Sequence, residues 1–182
     1  MFSKALSRIV ERLDQAHSAR LLSSYALIGG FAVSAWGVAR ATQDIDLAVA
    51  LGTSEPHALA VYLGATYEPG GIDDPLQGVF RLSMTSEGQD VPIQLIVLPS
   101  KLAALAFKNI ERLDTLGCSV PVVNWKSLVL LKLFAGGPID LLDAHNIVAV
   151  RKPGVNDRNE LIVLGDALEL GQEVRTLLDS VA

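Results

Sequence analysis

Leu6, Ile9, Val10 and Leu13 recur at three- and four-residue intervals, which predicts an amphipathic helix over residues 3 to 22 with one buried face. The rhythm then changes. Tyr25 to Ile28 is a short apolar run ended by Gly29-Gly30, the pattern of a buried strand and a tight turn, and Phe31 to Val38 predicts the helix that follows. Asp44 to Ala50 predicts a second strand. Ser54 to Leu63 reads as a helix with Ser54 as N-cap and Pro56 in its first turn. The glycine- and aspartate-rich run EPGGIDDPLQG predicts a loop. VFRLSMT and VPIQLIVLP, joined by SEGQD, have the composition of a hairpin. Lys101 to Leu116 is expected to be helical, Ser119 to Val123 a short strand, and Asn124 the cap of a helix from Trp125 to Phe134. Gly136-Gly137-Pro138 ends that helix, and two more are expected, around 139 to 150 and 156 to 180. Strands and helices mixed in the first two thirds, then helices alone, define an α/β or α+β fold with a mixed sheet. The expected organisation is a core over 1–123 and a helical part over 124–182, packed as one compact unit.

Composition narrows the function classes. Half of the 182 residues are apolar and 19% are charged, which is the balance of a globular chain rather than a disordered one. Apolar runs such as SLVLLKLFAGG are far shorter than the ~20 residues of a membrane span, so no membrane association is expected. The first residues, MFSKALSRIVERLDQ, carry acidic groups where a signal peptide has an apolar core, and Cys118 is the single cysteine. Both point to the cytoplasm. The net charge is −5 and no Lys/Arg cluster exceeds two residues, which argues against a dedicated DNA-binding module.

Against that background Asp44 and Asp46 stand out. On a strand, residues two apart share a face and lie roughly 7 Å from each other. Two carboxylates held that close repel unless a positive charge sits between them, and Mg²⁺ suits one or two carboxylates completed by water and substrate phosphate. Gly29-Gly30, between an apolar strand and a helix, lets backbone approach a ligand and leaves free N–H groups for an anion. Alone, the glycine pair is a plain tight turn; beside the two carboxylates it outlines a nucleotide site.

The run LIGGFAVSAWGVARATQDIDLAV resembles the signature of the nucleotidyltransferase superfamily that shares its fold with DNA polymerase beta, and its small bacterial abortive-infection and toxin-type members in particular. NWKSLVLLKLFAGGPIDLLDAHNIV is similar to the helical part of those proteins. The resemblance implies that Gly29 and Gly30 hold nucleotide phosphates, with Arg40 and Thr42 in support. It also implies that Asp44 and Asp46 bind the catalytic Mg²⁺ and that Lys132 reaches the triphosphate. The activity it implies is transfer of a nucleoside monophosphate from an NTP to a hydroxyl of a protein, an RNA end or a small molecule.

One position departs from the pattern. The family places a third carboxylate on a later strand, as metal ligand and general base, where this chain has Gln94. An amide takes no proton at neutral pH and is a weaker ligand. Asp90 shares the strand face of Gln94 but lies about 13 Å along it. Asp140 and Asp143 come from another segment and are candidates to approach the site, although such positions commonly carry charges that favour a helix start. Lys132 has an equally plain reading, a stem along apolar surface with its amine in water. Gln94 therefore keeps a second expectation open, a catalytically inactive module of the same fold that binds nucleotide or a protein partner, as half of a toxin–antitoxin pair. Arg81 and Ser83 share one hairpin face, where packing or exposure is the simpler reading. His17, His57 and His145 have no zinc-ligand spacing. Trp36 and Trp125 read as core or rim aromatics.

Overall fold

The computed structural model describes residues 1–72 and 75–181. Within them the chain is a mixed α/β fold of α+β type, eight helices around one seven-stranded sheet. In chain order the elements are α1 (Phe2–Ser18), β1 (Ser24–Leu27), α2 (Gly29–Ala35), β2 (Ile45–Ala50) and α3 (Pro56–Leu63). Next come β3 (Thr66–Pro69), β4 (Gly78–Ser86), β5 (Gln89–Val97), α4 (Ser100–Lys108), β6 (Ile110–Thr115) and β7 (Cys118–Val123). The chain ends with α5 (Trp125–Ala135), α6 (Pro138–Arg151), α7 (Val155–Ala167) and α8 (Gly171–Ser180).

The strand order is β3-β4-β5-β2-β1-β7-β6. β2 sits near the middle, antiparallel to β1 and parallel to β5, and β5 in turn pairs antiparallel with β4. One face of this sheet is apolar: Leu47, Leu95 and Phe80 face one another across β2, β5 and β4, and all three are fully buried. α1 buries Ala5, Leu6, Ile9, Val10, Leu13 and Ala16 in the same core, as its spacing predicted. The alternate positions of the three strands, Asp46, Gln94 and Arg81, therefore point to the opposite face. Among the described residues no helix is long and apolar enough to cross a membrane.

Several boundaries differ from the periodicity. The helix expected over Lys101 to Leu116 stops at Lys108, and Ile110–Thr115 is an edge strand paired with β7. Leu116 and Gly117 both have positive φ (54° and 72°), the backbone of a two-residue hairpin turn, which overrides a short stretch whose apolar spacing also suits a helix. The first helix ends at Ser18, and Arg20 turns at φ 59°. Ser54 is not an N-cap, because its hydroxyl donates to the Arg20 carbonyl at 2.5 Å and α3 starts at Pro56. The single helix expected over 156 to 180 is α7 and α8, separated where Glu169 takes φ 63°. α2 already begins at Gly29 and ends at Ala35, and β2 begins at Ile45, one residue after Asp44. The loop expected over 68–78 begins inside β3, and its Asp73 and Asp74 lie outside the described residues. The hairpin is longer than expected, turning only at Glu87 and Gly88, again both at positive φ. Asn124 caps α5 as predicted, accepting a hydrogen bond from the Lys126 amide at 3.0 Å.

Candidate active site

Gly29, just after β1, packs directly against the Asp46 side chain of β2. Its φ is +65°, and a Cβ there would lie 2.7 Å from the Asp46 Cβ and 2.9 Å from its Cγ, so only glycine leaves room for that carboxylate. At Gly30 an added Cβ would lie 2.7 Å from the Thr42 Cβ and would collide with the Arg40 guanidinium. The glycine pair thus makes space for the polar side chains of the following strand. Gly29 borders the cavity, whereas Gly30 is buried behind it.

That cavity, about 240 Å³, is lined by Gly29, Asp44, Asp46, Gln94, Lys132 and Asp140, with Leu128 and Leu131 of α5 as its apolar wall. The Thr42 hydroxyl donates to Asp44 Oδ1 at 2.9 Å and so orients that carboxylate. Asp46 accepts no side-chain hydrogen bond among the described residues. Burial, and then the charge of Asp44, push its carboxyl up to about 6, against the pull of Lys132 and Arg40.

α5 and α6 add a second polar layer. Lys132 is 7% exposed, its Nζ 2.7 Å from Asp140 Oδ1 and 2.9 Å from Asp143 Oδ2. Asp143 Oδ2 is in ion-pair range of Lys132 but off the direction of a hydrogen bond, and Oδ1 lies 3.0 Å from Arg40 Nε. Asp143 is therefore a buried anchor between two cations, and Asp140 is the one of the two acidic residues that reaches the cavity. Lys132 does not lie with its amine in water; it is held by both carboxylates. With four carboxylates and two cations, the cluster keeps two carboxylate charges unmatched.

Gln94 stands opposite Asp46 in β5 and beside Arg81 of β4. Arg81 Nη1 donates to Gln94 Oε1 at 2.9 Å, and Gln94 Nε2 donates to Asp44 Oδ2 at 3.3 Å. Because guanidinium can only donate and carboxylate can only accept, both ends require this orientation of the amide. Gln94 presents its N–H₂, not its oxygen, to the site. Asp90 is bound to Thr85 at 2.6 Å, at the far end of the hairpin, and does not reach the cavity. The strand-face alternation placed Arg81 beside Ser83; its contact with Gln94 depends on β4 pairing with β5 and carried no sequence signal of its own.

Among the described residues no three His, Cys, Asp or Glu side chains cluster as metal ligands. Asp44 and Asp46 would be the residues to hold a Mg²⁺ ion, whose hard-oxygen preference one or two carboxylates suit. The free Asp46 oxygens and the two unmatched charges fit a divalent cation. Larger hollows of about 780 and 660 Å³ run along α1 and at the β1–β2 end, but the first has its Asp14 engaged by the Tyr25 hydroxyl at 2.5 Å. Neither hollow gathers paired carboxylates beside a glycine turn. Compared with protein-family models and with curated proteins, the chain has no match.

Proposed function

We propose that this chain is a Mg²⁺-dependent nucleotidyltransferase-like protein that moves a nucleoside monophosphate from an NTP to an acceptor and releases pyrophosphate. The observation that carries the reading is the convergence of Asp44 and Asp46 in one cavity, beside a positive-φ glycine whose missing Cβ leaves room for the Asp46 carboxylate. When bound, Mg²⁺ supplies charge neutralisation and Lewis acidity at the phosphates. The protein's own groups do the rest. Asp44 and Asp46 hold the ion, and Thr42 keeps Asp44 turned inward. The backbone of Gly29, at the start of α2, borders the phosphate position, and Gly30 stands behind it. Arg40 acts through Asp143, and Lys132, on the cavity wall, faces the triphosphate with its charge shared by Asp140 and Asp143. The acceptor classes are a protein, an RNA end or a small molecule, and the single Cys118 suits a cytoplasmic setting.

Isothermal titration of ATP, GTP, CTP and UTP, with Mg²⁺ and then with EDTA, tests this. We expect Mg²⁺-dependent binding that Asp44→Asn abolishes; binding that survives the substitution removes the metal site. A second reading has its own support, because Gln94 aims a donor where a ligand or base would stand. In that reading the chain binds nucleotide, or a protein partner of toxin–antitoxin type, without turnover. Tight Mg²⁺-NTP binding with no pyrophosphate release against any acceptor would favour it.

A further inference from the structure

We propose that the acceptor of this site carries its own negative charge, as a phosphate monoester or carboxylate oxyanion, and that Arg81 receives it. The inference rests on the nucleotidyltransferase reading and specifies its substrate class. Its first support is the state of the carboxylates. A neutral hydroxyl must lose a proton as it attacks, and a base within hydrogen-bond reach must take it. Asp44 accepts from Thr42 and Gln94 and Asp140 from Lys132, while Asp46, which lines the same cavity, is assigned to the cation. Gln94 cannot take a proton, and its donor end faces Asp44. An oxyanion needs no base.

The second support is geometric. A cavity of about 180 Å³ lies on the other side of Gln94, lined by Arg81, Glu68 and Gly78, and it shares Gln94 and Ile96 with the carboxylate cavity. The two hollows adjoin at Gln94 and Ile96, on the same face of β5. Arg81 commits Nη1 to Gln94 and Nε to Glu68 at 3.0 Å, and its Nη2 has no partner among the described residues. Arg81 is half exposed, so that edge is open to a ligand. A guanidinium edge suits an oxyanion, and Arg81 lines the smaller hollow, which holds none of the four aspartates of the carboxylate cluster.

The chemistry then balances without proton removal. An acceptor oxyanion attacks the α-phosphorus, the bond from that phosphorus to the bridging oxygen breaks, and pyrophosphate leaves with the electron pair. A phosphate monoester yields a phosphoanhydride, and a carboxylate yields a mixed acyl-phosphate anhydride.

Glycerol, glycerol 3-phosphate and glycerate form a matched set of probes, each tested with Mg²⁺ and α-labelled ATP, GTP, CTP and UTP, with products resolved by ion exchange and acyl products trapped by hydroxylamine. We expect labelled anhydride from glycerol 3-phosphate or glycerate, the two arms separating the two oxyanions, and none from glycerol. Arg81→Gln should raise the acceptor KM about ten-fold, the worth of one charge-assisted hydrogen bond, and Glu68→Gln should lower it. Gln94→Glu, isosteric and able to act as base, should open transfer to glycerol. Label on glycerol with the unaltered protein overturns the inference while leaving the nucleotidyltransferase reading intact. Nucleotide binding without label on any probe overturns it in favour of a non-catalytic module, and absence of Mg²⁺-dependent nucleotide binding overturns both.

Discussion

Asp46 is held in a state that costs the fold stability. Its carboxyl is pushed up to about 6 from the ordinary 3.8. Between those two values the folded chain therefore binds more protons than the unfolded one, and stability falls as pH rises through that window, levelling off above 6. Asp46→Asn should leave stability near pH 4 unchanged and raise it at pH 7 by on the order of 2 kcal/mol, as read by urea denaturation across the range. A variant that tracks the unaltered protein at every pH would show that Asp46 is not under charge strain. Gly29 is the matching backbone residue. Gly29→Ala meets both the positive φ and the Asp46 side chain, and should cost about 3 kcal/mol. A melting temperature unchanged by this substitution would remove the packing argument.

At the scale of elements, α5 and α6 are tied by buried charge as well as by apolar contact. Lys132 faces Asp140 and Asp143 across the helix pair, and Arg40, from the segment between α2 and β2, anchors the same Asp143. Removing one partner of such a set leaves buried charge uncompensated. Lys132→Met should cost about 3 to 5 kcal/mol, and adding Asp140→Asn and Asp143→Asn should recover part of it. A cost below about 1 kcal/mol in chemical denaturation would mean that water already screens the set. At the other end of α6, Arg151 lies over the Trp36 and Trp125 rings, 5.3 and 5.8 Å from their centroids, so the helix that carries the two aspartates is held at both ends.

Across the whole molecule, burial is uneven. β2 and β5 are at the centre of the sheet, while α7 buries only Leu161 and Gly165 and exposes Val155 and Val163. The α7–α8 hairpin docks through Leu161, Val174, Leu177 and Leu178. Its opening exposes far less apolar surface than global unfolding does. Amide hydrogen exchange should therefore release α7 and α8 first, well ahead of β2 and β5. Equal protection throughout would mean that the helical end and the sheet unfold as one unit.

Local rules already contained much of this protein. The period of α1, the strand–glycine–helix unit at 24–35, the two carboxylates at 44 and 46, and the Asn124 cap depend on neighbours only a few residues away, so spacing revealed them. The spacing of the short strand β6 suits a helix, and a turn of two positive-φ residues and a partner strand decide its state instead. The site divides in the same way. Asp44 and Asp46 announce themselves as two carboxylates in an i, i+2 pair, although β2 itself starts only at Ile45. Sequence could name Lys132, Asp140 and Asp143 but could not bring them together, since their contacts cross from α5 to α6 and back to Arg40. The direction of the Gln94 amide was decided last and furthest away: only the pairing of β4 with β5 brings Arg81, a pure donor, to its oxygen and so turns its nitrogen toward Asp44.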